Sequence, residues 1–226
     1  MILERDGMGL FTKKRSVAAL SNKALNSIKG ELESVLTIAA TYDRMMLRSG
    51  QLVISLEGRV RGDLLAFLLY LSGINKGVDQ REIDVVNRIF DIDLSHVDFD
   101  LFRKDVGDEA FERAIPPSLL ILKELGSTVQ RAQFQTSDGH DSTMPESEVE
   151  VLSHMLVDDV VNLYALIGSA FISANEQVTK RESEDLVRYL YMITRGIYGP
   201  NAELPAGAAS RTLDAHVRLF GKKPKL

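Results

Sequence analysis

Two asparagines and two glutamates in this chain are spaced as the oxygen ligands of a hard cation could be. Asn75 and Glu82 stand seven residues apart, and Asn175 and Glu182 repeat that spacing one hundred residues later. An amide oxygen and a carboxylate from each copy, folded toward one another, would suit Ca²⁺ or Mg²⁺. The same residues have a structural reading. Glu82 lies three residues after Asp79, and Glu182 three after Thr179. That is capping-box spacing, in which the N-cap side chain accepts the N3 N–H and the N3 glutamate accepts the N-cap N–H. Asparagine also tolerates the left-handed backbone that ends a helix. The sequence leaves ligand and cap both open.

These residues belong to a repeat. Asn75–Arg88 (NKGVDQREIDVVNR) and Asn175–Arg188 (NEQVTKRESEDLVR) agree at five of fourteen positions: Asn75/Asn175, Val78/Val178, Arg81/Arg181, Glu82/Glu182 and Arg88/Arg188. Each copy follows a long apolar helical pattern and opens a shorter amphipathic one. A shared plan of that kind marks repeated structural units more firmly than the letters alone.

Helices must position the two copies. Ala24, Ile28, Leu32, Val35 and Ala39 recur at helical steps and predict a helix over 16–47. Leu52–Leu56 is ambiguous between strand and helix. A helix over 59–72, apolar on nearly every side at Leu64–Leu71, is expected at the centre of the first unit. Ser95 and Asp98 signal another helix start, for a helix burying Val97, Leu101 and Phe102. Pro116-Pro117 opens a helix through Gln130 with Leu119, Leu120, Leu122 and Leu125 to bury. The polar stretch 135–145 is the clearest loop. A long helix over 146–174 carries Leu152, Leu156, Val160, Leu163, Ile167 and Phe171 on one face, and the capped helix after Thr179 runs to about Thr194, with Gly196, Gly199, Pro200 and Pro205 to end it. One more short helix is expected within 210–220. The reading is all-α: a flexible stretch 1–15, a first helical unit 16–134, a linker 135–145, a second unit 146–198 and an extension 199–226. Leu68, Leu71, Val86, Leu163, Ile167, Phe171, Leu186 and Leu190 are the expected core.

Other reactive groups form no recognisable catalytic set. The chain has no cysteine, which excludes disulfides, thiolate nucleophiles and zinc ribbons. His96, His140, His154 and His216 form no HxxxH or HExxH pair, although His154 stands one turn from Asp158. Gly168-Ser169-Ala170 is no nucleophile elbow, and no phosphate-binding glycine loop occurs. Asp91, Asp93, Asp98 and Asp100 suggest a calcium loop, but His96 and Phe102 occupy the positions that need glycine and glutamate. Asp158-Asp159 could supply paired carboxylates.

The formal net charge of −5 and pI near 5.5 argue against general nucleic-acid binding, despite basic runs at Lys13–Arg15 and Lys222–Lys225. The start lacks a basic region followed by a long apolar run, and no stretch nears ~18 consecutive apolar residues, so a cytoplasmic location without a transmembrane segment is expected.

The repeat resembles the signature of TerB-like tellurite-resistance proteins. In that family an Ala-Asp-Gly-like break ends a helix, Val or Ile follows three residues after the Asp, and Glu four further on. Here Val78 and Val178 match, as do Glu82 and Glu182. The family's Asp is replaced by Asn75 and Asn175, and its Gly by Lys76 and Glu176. The resemblance implies an all-helical fold of two such units and a divalent-cation site at Glu82, Glu182, Asn75 and Asn175, with two formal charges fewer than the family carries. It implies a non-enzymatic interaction or stress-response module that is cation-responsive and binds a protein partner. Two alternatives remain: a metal-dependent enzyme using Glu82, Glu182 and the Asp158-Asp159 pair, and a structural adaptor that binds a protein through an exposed helix face.

Overall fold

The computed structural model describes residues 14–48, 55–74, 77–106, 115–128, 134–135, 141–142 and 146–224. In order these form β1 (Lys14–Ser16), α1 (Asn22–Arg48), α2 (Leu56–Ile74), α3 (Gln80–Phe90), α4 (His96–Val106), α5 (Pro117–Thr128), β2 (Phe134–Gln135), β3 (Asp141–Ser142), α6 (Glu146–Ser173), β4 (Gln177–Thr179), α7 (Lys180–Tyr198), α8 (Ala206–Arg211) and α9 (Leu213–Phe220). The described residues are predominantly helical, as expected.

Helix α6 is the axis of the molecule. It packs against α1, α2, α3, α5, α7 and α8. A helix surrounded on so many sides must be apolar nearly all round. Val157, Val161, Tyr164, Ala165 and Ile172 are accordingly buried along with the expected Leu156, Val160, Leu163, Ile167 and Phe171. The span His154–Ser173 is long and apolar enough to cross a membrane by composition, but 67% of its most apolar window is buried inside the fold. All eight residues named as the expected core are buried. Each large apolar side chain so placed stabilises by roughly 1.5–3 kcal/mol.

Carboxylates from distant elements start two of the helices. Asp43 on α1 accepts the N–H groups of Leu56 at 2.7 Å and Glu57 at 3.1 Å, and the Ser55 hydroxyl at 3.1 Å. Helix α2 therefore begins at Leu56, ahead of the expected residue 59. Asp63 on α2 likewise accepts the Ser118 N–H at 2.7 Å in the first turn of α5.

Several expectations need correction. Residues 14–16, expected to be flexible or to open α1, form β1 and pair antiparallel with β4, Arg15 opposite Val178. Helix α1 starts later, where Ser21 accepts the Ala24 N–H at 3.1 Å. Among the described side chains of α4 the buried one is Phe99, whereas Val97 and Leu101 are 65% and 53% exposed; the Phe102 side chain lies outside those described. Gly196 does not end α7. It lies inside the helix against the Ile115 side chain, where a Cβ would collide, and the helix continues to Gly199. The extension forms two helices, and Pro224, in a tail expected to be mobile, is buried. Around the expected linker, β2 and β3 pair antiparallel, Phe134 opposite Ser142.

The helix–break–helix plan recurs in both halves, but its packing does not. Helices α6 and α7 pack on each other, while α2 and α3 touch little; α3 leans instead on α1 and α6.

Candidate functional site

Both predicted capping boxes form. Asp79 is in extended backbone and accepts the Arg81 N–H at 2.7 Å, while Glu82 accepts the Asp79 N–H at 2.8 Å. One hundred residues on, Thr179 accepts the Glu182 N–H at 3.1 Å and Glu182 accepts the Thr179 N–H at 2.5 Å. Each glutamate spends one oxygen, Oε2, on its own helix start. The second oxygen of each has no hydrogen-bond partner among the described residues.

The two caps also approach one another. Helix α3 packs on α6 and α2 on α7, so each unit's capped helix or its predecessor meets the other unit. Arg81, within the first box, reaches Glu176 in the second break at 3.7 Å. Glu82 and Glu182 are 2% and 4% exposed. Burial pushes the Glu82 carboxyl up to about 7, against the pull of its bond from the Asp79 N–H, and the Asp79 and Glu182 charges push it further. Desolvation opposes ionisation of any buried carboxyl, and like charges nearby add to it. Cap and pair are thus the same residues.

The asparagines behave differently from the glutamates. Asn175 folds back on its own turn and accepts the Gln177 N–H at 3.0 Å. Local bonding of this kind is what asparagine offers a turn. The left-handed residue is not Asn175 but Glu176, at φ 62°. Asn75 lies outside the described residues. The Val178 side chain is buried beneath the β1–β4 pair, and the Val17 N–H donates to the Glu176 carbonyl at 3.0 Å, so the N-terminal segment clamps the second break.

The other candidates separate from this site. Asp158 receives the Tyr198 hydroxyl at 2.9 Å. Tyr198 lies sixteen residues beyond Glu182 on α7, about 24 Å along the helix axis. The Asp158-Asp159 pair and the glutamate pair therefore occupy opposite ends of α7. His154 meets the Tyr198 ring edge-on at 5.6 Å rather than forming an ion pair with Asp158. His216 is fully buried, with Nδ1 2.9 Å from the Ser183 hydroxyl, and burial holds its pKa below the usual value. His96 is exposed at the start of α4, and His140 lies outside the described residues. In the acidic run, Ser95 and Asp98 cap α4 reciprocally: Asp98 accepts the Ser95 N–H at 2.8 Å, and its own N–H reaches the Ser95 hydroxyl at 3.4 Å. Asp91 pairs with Lys29 at 3.4 Å. Among the described residues no three histidine or acidic side chains converge as a metal site would require.

Sequence reasoning missed the tyrosines. Tyr191 donates to Glu203 at 3.0 Å and Tyr198 to Asp158, both from one face of α7. Their seven-residue spacing was a visible signal, whereas their carboxylate partners come from other elements. No family model, no curated protein and no solved structure matches this chain.

Proposed function

We propose that this chain is a non-enzymatic cytoplasmic interaction or stress-response module of the TerB-like kind, in which the Glu82–Glu182 pair responds to protons or a divalent cation and passes the change to a protein partner. One observation carries the reading: two buried glutamates, one from each repeat, each hold the start of their own helix, and the Arg81–Glu176 ion pair links the two breaks they cap. Neutralising or bridging their charge changes the energy of both helix starts together. The left-handed backbone at Glu176, where the resembled family carries glycine, supports the likeness of the break. The two-unit TerB-like arrangement is part of the same proposal. The enzyme alternative draws less support, because it needs Asp158-Asp159 beside glutamates that lie at the other end of α7.

Calorimetric titration with Ca²⁺, Mg²⁺, Mn²⁺ and Zn²⁺ in two buffers of different ionisation enthalpy tests the cation response. A cation captured by a partly protonated carboxyl pair releases protons, so the heat differs between buffers. We expect binding that releases protons and is lost in Glu82→Gln. Absence of binding by all four cations removes the cation-responsive reading.

A further inference from the structure

The end of α7 remote from the paired glutamates opens into a cleft of about 300 Å³, lined by His154, Asp158, Tyr198, Ala202, Glu203 and Pro205. That is enough room for a side-chain-sized ligand. Two carboxylates on its walls are held in place by phenols. Tyr198 donates to Asp158 Oδ1 at 2.9 Å, and Tyr191 donates to Glu203 Oε2 at 3.0 Å. Each carboxylate keeps its second oxygen to accept another donor. Neither forms an ion pair among the described residues.

The local field favours a cation. Helix α7 ends at Tyr198, and a helix C-terminus carries partial negative charge. Asp159 stands next in the chain to Asp158, and Glu31 on α1 acts on it.

The fold itself seats one cation in this manner. The Arg195 guanidinium lies 4.6 Å above the Tyr191 ring, the same ring whose hydroxyl holds Glu203. Tyr198, two turns further along the helix, repeats the phenol–carboxylate pair with Asp158. Its ring lies nearly perpendicular to that of His154 and stays partly exposed. Cations stack favourably on such aromatic faces. We infer that the cleft binds an organic cation, a guanidinium or alkylammonium group, stacked on Tyr198 and paired with Asp158 and Glu203. The charge comes from an arginine or lysine side chain of a peptide or from a free polyamine.

The test follows backbone and side-chain NMR signals of the full chain during titration with Nα-acetyl-arginine methylamide, with spermidine and with the neutral citrulline analogue. Saturable shifts at His154, Asp158, Tyr198 and Ala202 are expected with a cationic probe and not with citrulline. Saturation by the arginine probe alone assigns a side-chain ligand, and by spermidine alone a free polyamine; saturation by both supports the shared chemistry. The double variant Asp158→Asn/Glu203→Gln should bind roughly tenfold more weakly, and Tyr198→Phe should lose affinity by freeing Asp158 from its anchor. Should the double variant fail to fold, added salt replaces it: raising NaCl from about 0.05 M to about 0.5 M must weaken binding to the wild-type chain. Glu82→Gln must leave the titration unchanged, so this proposal and the one above fail independently. No saturable shift with either cation, or equal binding of citrulline, overturns the assignment.

Discussion

At Glu82 a single side chain serves two incompatible demands. Its Oε2 caps α3, a role that favours a charged acceptor at a helix N-terminus. Its burial opposes that charge, and the Asp79 and Glu182 charges add to the opposition. The pH consequence has a definite sign. Below about pH 4.5 the carboxyl is protonated in both the folded and the unfolded chain. Between about 4.5 and about 7 the unfolded chain ionises first, so folding loses stability as pH rises through this window. Glu82→Gln keeps an oxygen for the cap and cannot ionise. From pH 5 to pH 8 the wild type should lose about 2–3 kcal/mol relative to this variant, read by urea unfolding at each pH. Equal slopes would contradict the raised pKa. Thr179→Ala removes the acceptor for the Glu182 N–H and should cost about 1 kcal/mol. Glu176→Gly relieves a non-glycine residue at φ 62° and breaks only an exposed ion pair, so the melting temperature should rise, by about 1 kcal/mol in stability. Both caps were legible in the sequence because a box is written within four residues. The approach of the two caps was not, because no local pattern records which residues a fold brings together.

At the scale of elements, the helix interiors were legible and several ends were not. Periodicity placed α1 and α7 because each buries an apolar stripe, and long apolar patterns placed α2 and α6. The start of α2 depends on Asp43, which comes from the far end of another helix and leaves no mark near Leu56. Gly196 read as a stop because glycine weakens helices, yet here it makes room for Ile115. Gly168 works in the same way where α6 meets α2 and α7. A Cβ there would stand 2.7 Å from Leu186 Cδ1 and 2.9 Å from Phe67 Cζ. Gly168→Ala should therefore destabilise by roughly 1–3 kcal/mol despite alanine's better helix propensity, as thermal unfolding will show. Strand β1 escaped notice because three residues carry no period. Deleting residues 1–16 should speed amide exchange at Gln177–Thr179 while the helices stay protected. Unchanged exchange at β4 would mean that the clamp contributes nothing to the second break.

Across the whole molecule, one long apolar helix gathers both halves of the chain, and the repeated break sets a buried glutamate at the start of α3 and of α7. The sequence showed the repeat, and it showed the apolar axis. The unequal packing of the two halves was hidden, since α2 and α3 carry the same pattern as α6 and α7 yet find different neighbours. The central claim is that the two glutamates act as one pair. The direct measurement is the ¹³C carboxyl shift of Glu82 followed against pH in the wild type and in Glu182→Gln. The pair predicts a midpoint at about 7 in the wild type and a lower midpoint once the Glu182 charge is removed. A Glu82 midpoint in the ordinary carboxylate range, or one indifferent to Glu182→Gln, would reduce both residues to independent helix caps.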